Sequence, residues 1–195
     1  MFDELLRHPG VHETLELRSS FGFMAFHGGL EEATETIAED AAERAWASLY
    51  TVVQPPDLVW HVPSATISPE HSAALARFLG HVQVAVAVHG YGRSNRPVDV
   101  LLGGRNRALA RHVAVHLRAH LPGFNVLDEL EAIPVGLRGL HPDNPVNRPP
   151  LGGVQLELPH RARGTSPSPR DRGRSGPPPS GVATALAAAA LSWSG

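Results

Sequence analysis

The 195-residue sequence contains no cysteine and no lysine. Without cysteine, disulfide bonds and thiolate metal ligands are excluded, so any metal ion must be bound by histidine, aspartate or glutamate. All 17 basic residues are arginines, which together with the abundant alanine, glycine and proline is typical of a GC-rich genome. The 19 acidic residues leave a formal net charge of −2, which argues against a protein that binds nucleic acid through bulk positive charge.

Long hydrophobic runs are also missing. No run approaches the ~20 apolar residues that are needed to span a bilayer. The N-terminal stretch MFDELLRHPG lacks the basic start and apolar segment of a secretory signal. We therefore expect no membrane partner and a cytoplasmic location.

Apolar, strand-like runs alternate with helical patterns along most of the chain. Predicted strands cover Val11 to Arg18, Phe21 to Phe26, 57–62, 82–90, 98–106 and 153–159. Predicted helices cover Glu31 to Leu49, 68–80 and Arg105 to Leu121. This alternation predicts a single α/β domain over residues 1–163, with a mixed, mostly parallel sheet flanked by helices.

The composition changes at Gly164. Residues 164–181 are rich in proline, serine, glycine and arginine, which predicts a disordered linker. The following segment VATALAAAALSW can form a short alanine-rich helix, although such a helix is stable only if it packs against the domain. We expect a disordered C-terminal tail over residues 164–195, without catalytic residues.

Two predicted strands end in His-Gly, at His27 and at His89. Ligands bind at the carboxyl ends of strands in such sheets, so these two histidines can meet at one site. The glycines after His27 allow the backbone to fold back and bring Glu31 or Glu32 towards it. Two histidines and a glutamate are a common ligand set for catalytic zinc. The alternative is that both histidines only cap strand ends.

Glu157 lies in the predicted strand GVQLELP, on the face opposite to Val154, Leu156 and Leu158. A buried and unpaired carboxylate is costly, so Glu157 faces either solvent or a polar site. Beside a bound zinc ion, this glutamate could act as general base and acid.

Arginines cluster around the candidate site residues in sequence and suit an anionic substrate, since guanidinium groups bind carboxylates in a bidentate manner. They are Arg93, Arg96, Arg105 and Arg148. The alternative interpretation is that these arginines are solvated loop residues without a role in binding. His112, His116 and His120 share one helical face, but Val113 stands where a metalloprotease helix requires glutamate. We interpret that face as a solvent-exposed histidine stripe, and His61 and His141 as loop or surface residues.

Four motifs occur in a characteristic order: FHGGLEEATETIA, AVHGYGR, LLGGRNR and NPVNRPPLGGVQLELP. In this order they resemble the poly-γ-glutamate hydrolase family of phages and bacteria, which is related in fold to zinc carboxypeptidases. The resemblance covers the chain from about Phe21 to Arg163.

The resemblance implies a zinc-dependent hydrolase that cleaves γ-glutamyl amide bonds. It implies that His27, Glu31 and His89 bind Zn²⁺, that Glu157 is the general base and acid, and that Arg105 or Arg148 holds a substrate carboxylate. Alignment of the EATETIA segment favours Glu31 as the third ligand, whereas counting from the histidine favours Glu32.

We expect an anionic glutamyl polymer or peptide and no nucleic-acid partner. The alternatives are a zinc amidohydrolase or carboxypeptidase that acts on other acyl-amino acids or on peptidoglycan peptides, and a non-catalytic binding protein on the same scaffold.

Overall fold

The computed structural model describes residues 1–171, 173 and 176–195. Its helices are α1 (Phe2–Leu6), α2 (Thr34–Ala45), α3 (Ala73–His81), α4 (Arg107–His120), α5 (His160–Arg163) and α6 (Ser180–Ser192). Its strands are β1 (His12–Glu16), β2 (Phe21–Gly28), β3 (Ser48–Val53), β4 (Val84–Tyr91), β5 (Asp99–Leu102), β6 (Asn125–Leu127) and β7 (Gly153–Pro159). Short 3₁₀ turns fill parts of the long connections.

The seven strands form one sheet in the order β1-β3-β2-β4-β7-β5-β6. The central pairs β3/β2, β2/β4 and β4/β7 are parallel, and so is β5/β6. The pairs β1/β3 and β7/β5 are antiparallel. The predicted α/β fold with a mixed, mostly parallel sheet is therefore confirmed.

Helices cover both faces of the sheet. On one face, α2, α4 and α6 enclose the larger hydrophobic cluster together with inward side chains of β2, β4 and β7. On the other face, α1, α3 and the connection between β3 and α3 enclose a second cluster. Because β2, β4 and β7 are covered on both sides, they consist almost entirely of buried residues.

Two predictions about the region after β2 are wrong. The helix expected to reach Leu49 ends at Ala45, because Trp46 adopts a left-handed conformation with φ of 52°. The chain then forms β3, a buried strand rich in β-branched residues that the four-residue alanine spacing had concealed. The segment 57–62, predicted as a strand, is irregular.

The C-terminal tail is more ordered than predicted. Ser180–Ser192 form α6, which lies against α2 and α4 and buries Val182 and Leu186 in the larger cluster. The alanine-rich composition permits this close packing of three helices. The predicted linker includes residues 172, 174 and 175, which lie outside the described residues.

None of the helices in the described part of the chain is long and apolar enough to cross a membrane.

Candidate metal centre

The three central parallel strands bring the candidate residues to one edge of the sheet. His27 lies near the carboxyl end of β2, His89 near that of β4 and Glu157 near that of β7. His89 and Glu157 occupy paired positions in the β4/β7 register. The expected meeting of the two strand-end histidines is therefore seen, and both are almost fully buried.

A tight turn after β2 returns the chain over His27. Gly29 has φ of +73°, and a Cβ at this position would lie 2.0 Å from the carbonyl oxygen of Gln54, so only glycine fits. The backbone N–H of Glu31 then donates to the carbonyl oxygen of His27 at 2.8 Å. This turn directs the Glu31 side chain to the histidines.

Glu31 bridges the two imidazole rings. Its Oε1 lies 3.1 Å from Nδ1 of His27, and its Oε2 lies 3.2 Å from Nδ1 of His89. The backbone N–H of Gly90 also donates to Oε2, at 2.9 Å. The structure thus brings Glu31 to the histidines, whereas the Glu32 carboxylate accepts a hydrogen bond from the backbone N–H of Gly173.

The three side chains fit a divalent metal ion. Each offers one ligand atom, and these atoms lie within 4.8 Å of one another. Among the described residues, this is the one cluster of three potential metal ligands. Nε2 of His27 lies 2.8 Å from the carbonyl oxygen of Val62 and donates to it, so Nδ1 is the ring nitrogen that is directed towards the candidate metal position. Nε2 of His89 is buried and has no hydrogen-bond partner among the described residues, a costly arrangement that a bound metal ion would relieve. Two imidazole nitrogens and one carboxylate oxygen match the ligand set that zinc prefers.

Mutual electrostatics control the charge of this group. Burial raises the pKa of Glu31, but the neighbouring His27 and His89 outweigh burial and hold that pKa well below its usual range. Burial lowers the pKa of His89, but Glu31 and Glu157 raise it above its ordinary value. Glu31 is therefore ionised at neutral pH, as a metal ligand must be.

Glu157 has a different environment. It is only 4% exposed, so the solvent-facing alternative is wrong. Burial raises its pKa, although His89 acts in the opposite direction. Nε2 of Gln155 donates to Oε1 of Glu157 at 2.7 Å, and Nδ2 of Asn144 in turn donates to Oε1 of Gln155 at 2.7 Å. This chain of amides fixes one carboxylate oxygen of Glu157 and leaves the other without a contact to Gln155.

A cavity of about 580 Å³ opens over these side chains. Its floor contains His27, Glu31, His89 and Glu157, and its walls come from the two connections 61–65 and 135–144. No arginine belongs to the described residues that line it. Besides the candidate ligands, the described lining residues include two histidines, His61 and His141, and burial lowers the pKa of His61.

The two arginines proposed for substrate binding are not brought to this cavity. The backbone N–H of Arg105 donates to Asn147 near the amino end of β7, whereas Glu157 lies near its carboxyl end. This placement arises because β5 is antiparallel to β7, so the chain after β5 leaves the sheet at the opposite edge. The Arg148 guanidinium lies 3.4 Å from Asp143 at the surface.

Sequence reasoning missed two residues of the site. His61, predicted as a loop or surface residue, does lie in an irregular segment, yet its ring centroid is 4.9 Å from that of His27. It belongs to the irregular segment that carries Val62, and nothing in its spacing relates it to His27. The position of Gln155 beside Glu157 could have been predicted from the sequence, because residues two positions apart lie on the same face of a strand.

The histidine stripe on α4 is only partly solvent-exposed. Nε2 of His112 lies 3.0 Å from the carbonyl oxygen of Ala189, and the hydroxyl of Ser192 contacts both His112 and His116. His112 and His116 therefore face α6.

Similarities to known proteins support the family resemblance that the four motifs indicate. The sequence model of the poly-gamma-glutamate hydrolase family matches residues 3–166. A bacteriophage poly-gamma-glutamate hydrolase has a similar structure, with a TM-score of 0.76, 23% sequence identity, and coverage of 92% of this chain and 87% of that one. A structure described as YNDL in a zinc-free apo form gives a TM-score of 0.67 at 18% identity, covering 92% of this chain and 87% of that one.

A more distant similarity is seen with an N-formylglutamate amidohydrolase from Ralstonia eutropha. Its TM-score is 0.53 at 14% identity, and the match covers 94% of this chain and 96% of that one. No curated protein sequence matches the chain significantly. The extent of the family match confirms the resemblance and the prediction of a hydrolase: the chain belongs to the poly-gamma-glutamate hydrolase family.

Proposed function

We propose that the protein is a zinc-dependent hydrolase that cleaves γ-glutamyl amide bonds in poly-γ-glutamate, with His27, Glu31 and His89 as metal ligands and Glu157 as general base and acid. The observation that carries the proposal is the convergence of these four side chains on the floor of one cavity. The similar bacteriophage hydrolase supports the substrate, and the similar zinc-free structure supports the choice of metal.

The ligand set accounts for the ionisation that metal binding requires. When bound, a zinc ion supplies Lewis-acid chemistry, which lowers the pKa of water to ~7 and polarises an amide carbonyl. Glu31 is held as a carboxylate by the two histidines, and the Val62 carbonyl accepts a hydrogen bond from Nε2 of His27, which directs Nδ1 of the same ring to Oε1 of Glu31. Both side chains are thus prepared for coordination before an ion binds.

The environment of Glu157 suits a group that transfers a proton during amide hydrolysis. Its raised pKa brings it closer to neutral pH than an ordinary glutamate, so it can accept a proton from water and donate it to the leaving amine. Gln155 fixes Oε1 by its hydrogen bond, which orients Oε2 for this exchange. The carboxylate is buried beside His89, where charges act in a low dielectric and proton transfer to bulk solvent is restricted.

The walls of the cavity fit a polymer with a partly apolar backbone. Exposed Val135 and Leu140 flank one side, and Pro63 and Ala65 lie on the other. Each γ-linked glutamate places two methylene groups in the polymer backbone and one carboxylate outside it. We assign the methylene groups to the apolar walls, and a carboxylate to His61 or His141 rather than to Arg105 or Arg148.

The linkage preference tests this function. Incubation with poly-γ-glutamate and with poly-α-glutamate compares polymers of the same charge and composition that differ only in the amide cleaved. We expect fragmentation of the γ-linked polymer alone. Peptidoglycan stem peptides, which also contain γ-glutamyl bonds, provide the second substrate. Cleavage of these peptides without cleavage of the polymer would replace the proposed substrate, and cleavage of neither by metal-loaded protein would contradict the function.

A further inference from the structure

Arg163 is a buried arginine at the end of α5, the short helix that follows β7 directly. It is only 2% exposed. Its Nη1 donates to the carbonyl oxygen of Glu32 at 2.6 Å, and its Nε donates to the carbonyl oxygen of Leu158 at 3.2 Å. Its guanidinium also packs against Gly90, where an added Cβ would lie 2.5 Å from Cζ.

Nη2 of Arg163 also lies 3.4 Å from Nδ1 of His160, within the same helix. The other three residues contacted share one property: each follows a proposed site residue in sequence. Glu32 follows Glu31, Leu158 follows Glu157, and Gly90 follows His89. The last contact is linked to the metal centre in a second way, because the N–H of Gly90 donates to Oε2 of Glu31. The Arg163 side chain thus contacts all three chain segments that carry Glu31, His89 and Glu157.

Burial of a charged guanidinium group at this position is energetically unfavourable. Burial lowers the pKa of Arg163, while Glu31, Glu32 and Glu157 raise it. Transfer of a charged group out of water is costly, and an apolar residue of similar size often packs as well in such a place. The cost is explained if the planar guanidinium is needed to donate to two carbonyl oxygens at once.

We propose that Arg163 is the positioning residue of the metal centre, which holds the segments after Glu31, His89 and Glu157 in the geometry that binds the ion. This inference rests on the proposed function. Arg163 does not line the cavity over Glu157, although it borders a neighbouring cavity of about 200 Å³ together with Glu31 and Gly90. Its effect should therefore appear in metal affinity and in kcat, and only weakly in KM.

The test is zinc affinity, measured by competition with a chromophoric chelator, for Arg163→Met, Arg163→Lys and Gly90→Ala. Outer-shell partners of metal ligands typically contribute 10–100-fold to affinity or activity. We expect Arg163→Met to lose affinity in this range, and Arg163→Lys to lose nearly as much because an ammonium group cannot reproduce the planar fork. Gly90→Ala should behave similarly, because its methyl group displaces the guanidinium. The matched control is Arg161→Met, which removes an exposed arginine of the same helix that stacks on Phe124 and should leave affinity unchanged.

Two further readouts separate positioning from general stabilisation. Addition of ethylguanidinium to Arg163→Ala should restore part of the zinc affinity, whereas ethylammonium at the same concentration should not. A purely structural role predicts a lower Tm of the metal-free protein with wild-type zinc affinity, and that result would overturn the inference. Wild-type zinc affinity in both Arg163→Lys and Gly90→Ala would also overturn it, even if Arg163→Met fails to fold. If the wild-type protein itself binds no zinc, the proposed function fails, and the inference fails with it.

Discussion

His89 and Glu157 occupy paired positions on neighbouring parallel strands, and both side chains are almost completely buried. A hydrophobic sheet core normally excludes such a pair. Here each group alters the other, since Glu157 raises the pKa of His89 and His89 lowers that of Glu157. The pairing places the proposed base beside a proposed metal ligand without any loop having to fold over them.

Replacement of Glu157 should separate catalysis from metal binding. In Glu157→Gln the carboxylate is lost while His27, Glu31 and His89 remain, so we expect zinc binding to be retained. Loss of a general acid or base typically lowers rates by ~10²–10⁴-fold, and kcat on poly-γ-glutamate should fall by such a factor. Glu43→Gln on the exposed face of α2 is the matched control and should keep full activity. A Glu157→Gln variant with normal kcat would remove the role assigned to Glu157.

The adjacent glutamates give a second test. The Glu31 carboxylate contacts both histidines, whereas the Glu32 carboxylate accepts from the backbone N–H of Gly173, so Glu31→Gln should lose zinc and Glu32→Gln should retain it. Since Glu31 is a direct ligand, its loss should exceed the roughly 10–100-fold effect of outer-shell changes. Zinc stoichiometry after dialysis measures this directly. Retention of zinc by Glu31→Gln together with loss by Glu32→Gln would reverse the assignment.

The sequence predicts the strand-end histidines because short-range patterns define both strands and their His-Gly ends. It does not decide between Glu31 and Glu32, because the answer depends on the turn that Gly29 makes beneath Gln54, a contact between distant segments. The placement of Arg105 likewise depends on the antiparallel direction of β5, which no local pattern reveals. The four-residue alanine spacing extended α2 over β3 because alanine suits a helix wherever it occurs, while the left-handed Trp46 ends the helix.

The stability of the metal-free protein should depend on Glu157 and on pH. The pKa of Glu157 is raised above its ordinary value of 4.5 on folding, so its ionisation destabilises the native state. This penalty is absent below the unfolded-state pKa and grows as the pH rises towards the folded-state pKa. In the presence of a chelator, Glu157→Gln should therefore be more stable than wild type at pH 7.5 and about equal to it at pH 4. Denaturant unfolding at the two pH values measures the difference, and a pH-independent difference would contradict the assigned pKa direction.

The terminal helix should contribute to the stability of the whole domain. Leu186 is fully buried in the cluster with α2 and α4, whereas Leu191 in the same helix is 69% exposed. We expect Leu186→Ala to lower the free energy of unfolding by about 2–5 kcal/mol, as for other buried leucines. Leu191→Ala should change it by less than about 0.5 kcal/mol. Equal effects of the two substitutions in thermal or denaturant unfolding would show that α6 does not pack as described.

The central claim is that a zinc ion held by His27, Glu31 and His89 is required for hydrolysis of γ-glutamyl bonds. The most direct test combines zinc content with cleavage of poly-γ-glutamate before chelation, after chelation and after zinc is restored. We predict one zinc ion per chain, loss of cleavage when it is removed, and recovery when it is returned. Full cleavage by protein shown to contain no metal would contradict the account.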